Sequence, residues 1–218
     1  MDAARIVKGL SLLVSLAGFL VVLGWIFSIP TLKSILPFWP AMHLSTGICF
    51  LLSGIAIYFI SESQRGKKEV SAVILPVVSP LILLAMAFLL LVEIFYAGSA
   101  LEDLFVQDVV GATAAGVAGF PPVGSVVGFI LIAVMGAFAL YEPQSIRRNL
   151  FLSGLVVSLA GGLALVGHFL NLPFLYYALF GWSSAMPLQS SLLFLGLGTS
   201  MVLVRDVKPE LAYFEDEG

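Results

Sequence analysis

Met42-His43-Leu44-Ser45-Thr46-Gly47-Ile48-Cys49-Phe50-Leu51-Leu52-Ser53-Gly54 carries a pattern that recurs later in the chain. Its second copy runs from Met186 through Gln189-Ser190 and Phe194-Leu195 to Gly198, so that Met, Ser/Thr, Phe, Leu and Gly match at one constant offset. A second matched pair stands just upstream of each copy: Gly24-Trp25-Ile26-Phe27-Ser28-Ile29-Pro30 and Gly167-His168-Phe169-Leu170-Asn171-Leu172-Pro173. A looser middle copy reads Val92-Glu93-Ile94-Phe95-Tyr96 and returns through Gly128-Phe129 to Met135-Gly136, its loop lengthened by a Gly/Ala-rich stretch at 111–119. A segment that closes one apolar run, loops and opens the next is a hairpin, and its recurrence marks an internal repeat. The pattern predicts three tandem helical hairpins, at about 6–60, 70–141 and 150–204.

The solvent around those hairpins is set by composition. Of 218 residues, 60% are hydrophobic and 11% charged, with mean hydropathy +1.09. A soluble domain carries roughly 25% charged residues, so a water-facing surface cannot be assembled from this chain. The apolar residues fall in blocks of about twenty, the length that crosses about 30 Å of hydrocarbon at 1.5 Å per residue. The expected fold is therefore an all-α integral membrane protein with six transmembrane helices, at about 6–29, 42–60, 70–96, 123–141, 150–170 and 188–204. The first run is too long for the apolar core of a cleaved signal sequence and lacks a small-x-small cleavage site, so it reads as a retained helix. Pro76 and Pro80 are expected in the first turns of the third span, where a missing N–H costs least, with a kink near Ser79 as the alternative.

Orientation follows from positive charge, which accumulates on the cytoplasmic side of short loops. Arg5, Lys8, Arg65, Lys67, Lys68, Arg147, Arg148, Arg205 and Lys208 fall on one side of a six-helix threading, nine of the ten basic residues. Only Lys33 lies on the other, with the acids Glu102, Asp103 and Asp108. Both termini are thus expected in the cytoplasm, with the protein multi-pass in the cell membrane. Residues 1–205 form the membrane domain, and 206–218 a short acidic tail that carries most of the net charge of -3. No basic patch points to nucleic acid. Cys49 has no partner in the chain, which excludes a disulfide framework.

The phrase that opens at Met42 resembles the hairpin motif, roughly Met-x-x-Asn/Ser-Thr-Ala-x-x-Phe-Leu-Leu-x-Gly, of the multi-helix N-terminal membrane regions of bacterial and archaeal sensor histidine kinases and diguanylate cyclases. The third hairpin is similar to it as well, so the likeness covers most of the membrane part. The chain departs from those proteins after its last span, where only about a dozen residues follow, without a phosphoacceptor helix or cyclase domain. The resemblance therefore implies a membrane-embedded signal-input module, non-enzymatic, a homodimer or a subunit of a larger assembly, acting through a separate output protein.

Several side chains are candidates for a site. Glu93 is the acid well inside a span, where an ionisable group is costly unless it faces protein or water; it also lies near its helix end, within reach of the interface. His168 takes the equivalent place in the third hairpin, and His43 opens the second helix in the same leaflet. Two histidines at one depth are candidates to bind haem axially, or to contact a quinone or pigment; the opposing reading is a pair of satisfied interfacial histidines. Trp25, Trp39 and Trp182, with Tyr96, Tyr176 and Tyr177, map to the same ends, as an aromatic belt at the headgroups or the lining of a lipophilic cleft. Gly154, Gly161, Gly162 and Gly167, with Gly47 and Gly54, offer small faces for close helix packing. No metalloprotease, nucleophile-elbow or phosphate-loop motif is present, and a zinc site would need more ligands. A proton or ion path would show more intramembrane charge than Glu93. The competing expectation is an accessory structural subunit of a larger redox or light-harvesting membrane complex.

Overall fold

The computed structural model describes residues 3–34, 41–95, 122–140, 143–176 and 185–208. Among these the chain is helical throughout: α1 (Ala3–Ile26), α2 (Pro30–Lys33), α3 (Leu44–Gln64), α4 (Lys68–Phe95), α5 (Val123–Phe138), α6 (Pro143–Leu170), α7 (Pro173–Tyr176) and α8 (Leu188–Val204). Four stretches are long and apolar enough to cross a bilayer: Ala3–Ile26, Leu44–Gln64, Lys68–Leu91 and Ser145–Leu170. The helices at the other two expected spans, α5 and α8, have 16 and 17 residues, close to the lower limit for a crossing helix. Pro122 and Pro187 occupy their N-cap positions, so each begins abruptly where a proline has no N–H to offer the preceding turn.

Among the described residues, α1 packs on α3, α4 on both α3 and α5, and α6 on α8. The returning helices α3, α5 and α8 meet one another and form an inner layer. Each outgoing helix covers its own return and the return of the hairpin before it: α4 lies on α5 and α3, α6 on α8 and α5, and α1 closes the ring on α3 and α8. Three copies of one unit arranged in this way have pseudo-threefold symmetry. Its axis is marked by Phe50, Phe129 and Phe194, all fully buried, whose ring centroids stand 5.0, 4.7 and 4.9 Å apart in a closed triangle. These separations lie at the short end of favourable aromatic pairing.

Close approach of the helices rests on small residues. A Cβ on Gly18 of α1 would stand 2.6 Å from the carbonyl oxygen of Gly47, and one on Gly161 of α6 would stand 2.6 Å from that of Ser191, the equivalent atom in the third hairpin. Large side chains of the outer helices, such as Leu12, Leu16, Val73, Leu84, Leu152 and Leu159, face outward, as apolar side chains do toward lipid tails. The inner helices are not wholly sheathed either, since Ile48, Val127 and Leu192 hold equivalent positions on α3, α5 and α8 and are all exposed.

Hairpin antiparallelism gathers the charged ends. Lys8 pairs with Glu62 at 2.7 Å, Arg65 with the same carboxylate at 3.2 Å, and Arg147 Nε donates to Gln64 Oε1 at 3.1 Å. Arg205 lies over the Phe151 ring. The starts of α1, α4 and α6 and the ends of α3 and α8 thus form one basic end of the bundle.

The prolines of α4 differ from expectation. The helix starts at Lys68, so Pro76 and Pro80 fall in its interior. The reason is the length of the helix: it begins in the basic loop at Lys68, and Val70 to Leu75 already form turns of the apolar segment ahead of Pro76. Pro76 and Pro80 leave the carbonyls of Ala72 and Pro76 without their usual donors, and buried Ser79 between the prolines packs where Gly136 of α5 supplies space. Trp39, Trp182, Tyr96, Tyr177, the acids at 102–108, the 111–119 stretch and the acidic tail beyond 208 lie outside the described residues, as does the side chain of Glu93.

Candidate functional site

The end opposite the basic residues carries the same local construction in the first and third hairpins. After α1 the chain turns at Ser28, with φ 54°, and after α6 at Asn171, with the same φ. The Ile29 N–H then bonds to the Gly24 carbonyl at 2.8 Å, and the Leu172 N–H to the Gly167 carbonyl at 2.8 Å. This is a left-handed helix ending with a six-to-one backbone bond. Pro30 and Pro173 each open a single helical turn, α2 and α7, where a missing N–H is harmless. The turn folds back on its own helix so tightly that Gly24 and Gly167 are needed opposite Leu32 and Leu175. The connection then closes on the return segment: Met42 N–H to the Lys33 carbonyl at 2.9 Å, and Met186 N–H to the Tyr176 carbonyl at 3.0 Å.

A ring side chain locks each unit. Trp25 is buried, and its Nε1 donates to the Met42 carbonyl at 2.9 Å. His168 holds the equivalent position, and its Nε2 meets the Met186 carbonyl at 2.8 Å. A carbonyl only accepts, so Nε2 of His168 carries the proton. The next layer is also matched. Lys33, itself buried, sets its ammonium 4.3 Å from the Trp25 ring, whereas Tyr176 stacks on His168 with centroids 4.3 Å apart and planes 5° apart. One copy uses a cation on an indole face and the other an aromatic stack to hold the same joint. The two units are tied together, since Gln189 Nε2 donates to the Lys33 carbonyl.

The candidate residues therefore separate. Trp25 and His168 occupy equivalent clasps, and Trp25 is buried within the protein. His43 is the N-cap residue of α3 without a side-chain capping bond, and its equivalent in the third hairpin is Pro187. With Nε2 of His168 donating to a carbonyl, metal ligation through that atom would require opening the clasp. Among the described residues, no three of His, Cys, Asp or Glu gather in a metal-binding group. Glu93 shares the clasp position by sequence, on the last turn of α4. What the repeat signal did not single out was the Phe triangle and the pairing of Lys33 and Tyr176 with the clasp rings, although the constant offset of Phe50 and Phe194 already pointed to the first.

Replacing either clasp ring by phenylalanine keeps an aromatic body but leaves a buried carbonyl without its donor, which costs about 1–3 kcal/mol. For Trp25→Phe and His168→Phe the thermal midpoint of the purified protein in detergent is expected to fall by about 2–10 °C. Unchanged midpoints in both would show that the clasps are incidental.

The chain matches no protein-family model, no curated protein and no solved structure. The class of protein that the fold defines is a helical bundle with several apolar helices long enough to span a membrane.

Proposed function

We propose that the chain is a membrane-embedded signal-input module of six spans, with both termini in the cytoplasm, that works through a separate output protein. The observation that carries this reading is the bonding of α3 to other elements at both ends. At one end the Trp25 clasp and the Gln189 bond to Lys33 tie its entry to the first and third hairpins. At the other, Glu62 meets Lys8 and Gln64 accepts from Arg147. The helix between is apolar and closely packed, so a displacement at the clasp end is passed along a stiff element to the basic end. The resemblance of the Met42–Gly54 phrase to sensor-kinase membrane regions agrees with that use, and the positive-inside rule puts the basic end in the cytoplasm, where an output protein would dock.

The test is isolation of the native protein in mild detergent, with identification of what co-migrates. Recovery with a cytoplasmic kinase or cyclase is the expected result. Recovery within a redox or photosynthetic assembly would replace this reading with the accessory-subunit one, and recovery as a lone monomer would overturn both. In the same preparation, Lys67→Cys in a Cys49→Ala background is expected to react with an impermeant maleimide only after the membrane is opened; labelling of intact cells would invert the topology.

A further inference from the structure

The Phe triangle fixes which face of each inner helix points to the axis. Four residues earlier, one helical turn toward the clasp end and on the same face, the three inner helices carry Thr46, Ser125 and Ser190. They are equivalent positions of the three repeats, and all three side chains bear a hydroxyl. They are 8%, 4% and 0% exposed. The hydroxyls of Ser125 and Ser190 make no hydrogen bond among the described residues. An unpartnered hydroxyl is costly in a membrane interior, where no bulk water reaches it.

A serine in such a helix ordinarily bonds the carbonyl four residues back, as Ser191 does to Pro187 at 3.1 Å and Ser200 to Gly196 at 2.8 Å. Ser190 does not. Its acceptor would be the Met186 carbonyl, which already receives His168; the corresponding acceptor for Thr46 is the Met42 carbonyl, which receives Trp25. Each of these two carbonyls thus already holds the donor of a clasp.

Packing points the same way. Three phenyl rings meet at the triangle, and one turn on, the same faces carry two serines and a threonine, side chains much smaller than phenylalanine. The Met186 methyl lies against Gly124, beside Ser125, and Met42, its equivalent in the first hairpin, is fully buried.

We propose that Thr46, Ser125 and Ser190 form an internal site on the pseudo-threefold axis for one small neutral hydrogen-bonding molecule, with water as its resident guest. Three hydroxyls from three helices supply the two to four polar partners that a buried water requires. None of the three carries a charge, so an ion would lose its hydration without compensation. The site stands independently of the input-module reading, because it is tested on the purified chain without any partner.

The experiment is radiolytic footprinting of the full-length protein in H2(18)O, in which hydroxyl radicals born from a bound water mark the side chains that touch it. Oxygen-18 is expected on Met42, Met186 and the three axis phenylalanines, although all five are buried from bulk solvent, and it is expected to fall several-fold in Ser125→Ala/Ser190→Ala while persisting in the back-bonded control Ser191→Ala. Absence of the label in the parent protein, or a label unchanged in the double variant, overturns the site. A thermal double-mutant cycle gives a second reading that needs no label. Ser125 and Ser190 sharing one guest will show midpoint losses that are less than additive, whereas hydroxyls that merely lack partners will give neutral or raised midpoints that sum.

Discussion

Gly18→Ala and Gly161→Ala are expected to destabilise the protein by about 3 kcal/mol each, the upper end for overpacking, with loss of the monodisperse peak in size-exclusion chromatography. The added group is one methyl, and in an exposed helix the same change would stabilise by about 1 kcal/mol through helix propensity. Tertiary geometry reverses the sign. On Gly18 the methyl would meet the Leu51 amide nitrogen at 2.5 Å and the Gly47 carbonyl oxygen at 2.6 Å; on Gly161 it would meet the Leu195 nitrogen and the Ser191 carbonyl oxygen, both at 2.6 Å. Those are backbone atoms of the partner helix, which no rotamer change can move aside, so the two helices of the hairpin must part along their length. In lipid, helix association depends on van der Waals contact and close backbone approach, so separation removes the main attraction within the hairpin. The controls are internal: a Cβ on Gly9 meets nothing within 4 Å, and one on Gly162 stands 3.8 Å from Leu195 Cδ1. Gly9→Ala and Gly162→Ala should leave the peak and the midpoint unchanged or improved. Equal tolerance at all four positions would mean that the hairpins do not pack as described.

The axis should respond almost as strongly. Phe50→Ala, Phe129→Ala and Phe194→Ala are each expected to cost about 3–5 kcal/mol, because each ring touches the other two and its removal strips the facing side chains of contacts that lipid cannot replace at the bundle centre. Pseudo-symmetry adds a more specific requirement, that the three costs be similar although the residues lie in three different repeats. Pairs of these substitutions should cost less than the sum of the singles, since the second ring has already lost one neighbour. Chemical denaturation in mixed micelles reads both. One position that tolerates alanine freely would remove it from the triangle.

How far the sequence carried depends on which residues speak for a whole element. The apolar blocks coincide with four helices long enough to cross a membrane and two shorter apolar ones, because length and hydropathy act over twenty residues at once, and the repeated phrases coincide with the matched turns after α1 and α6. The prolines of α4 misled, since Lys68 to Leu75 places two helical turns ahead of Pro76, and hydropathy locates a span without recording where in its helix a proline falls. Trp25 shows the limit for the site. Its type and place suit a headgroup belt, and only the turn at Ser28 together with the Met42 bond to the Lys33 carbonyl shows its Nε1 meeting the Met42 carbonyl. His168 is legible only beside Trp25: once one is seen to clasp, the offset assigns the other. Ser125 escaped notice because the middle repeat has drifted in sequence while keeping its place on the axis.

The way α1 is shared between hairpins has a consequence in time. Each outer helix leans on the return helix of the preceding hairpin, and for α1 that helix is α8, which leaves the ribosome after the other helices described. The first helix therefore waits, half covered by α3, through the synthesis of everything between. The bundle grows as an open arc and closes in one late step, so a stalled or shortened chain would present to quality-control machinery the flanks of α1 and α3 that α8 covers in the finished ring.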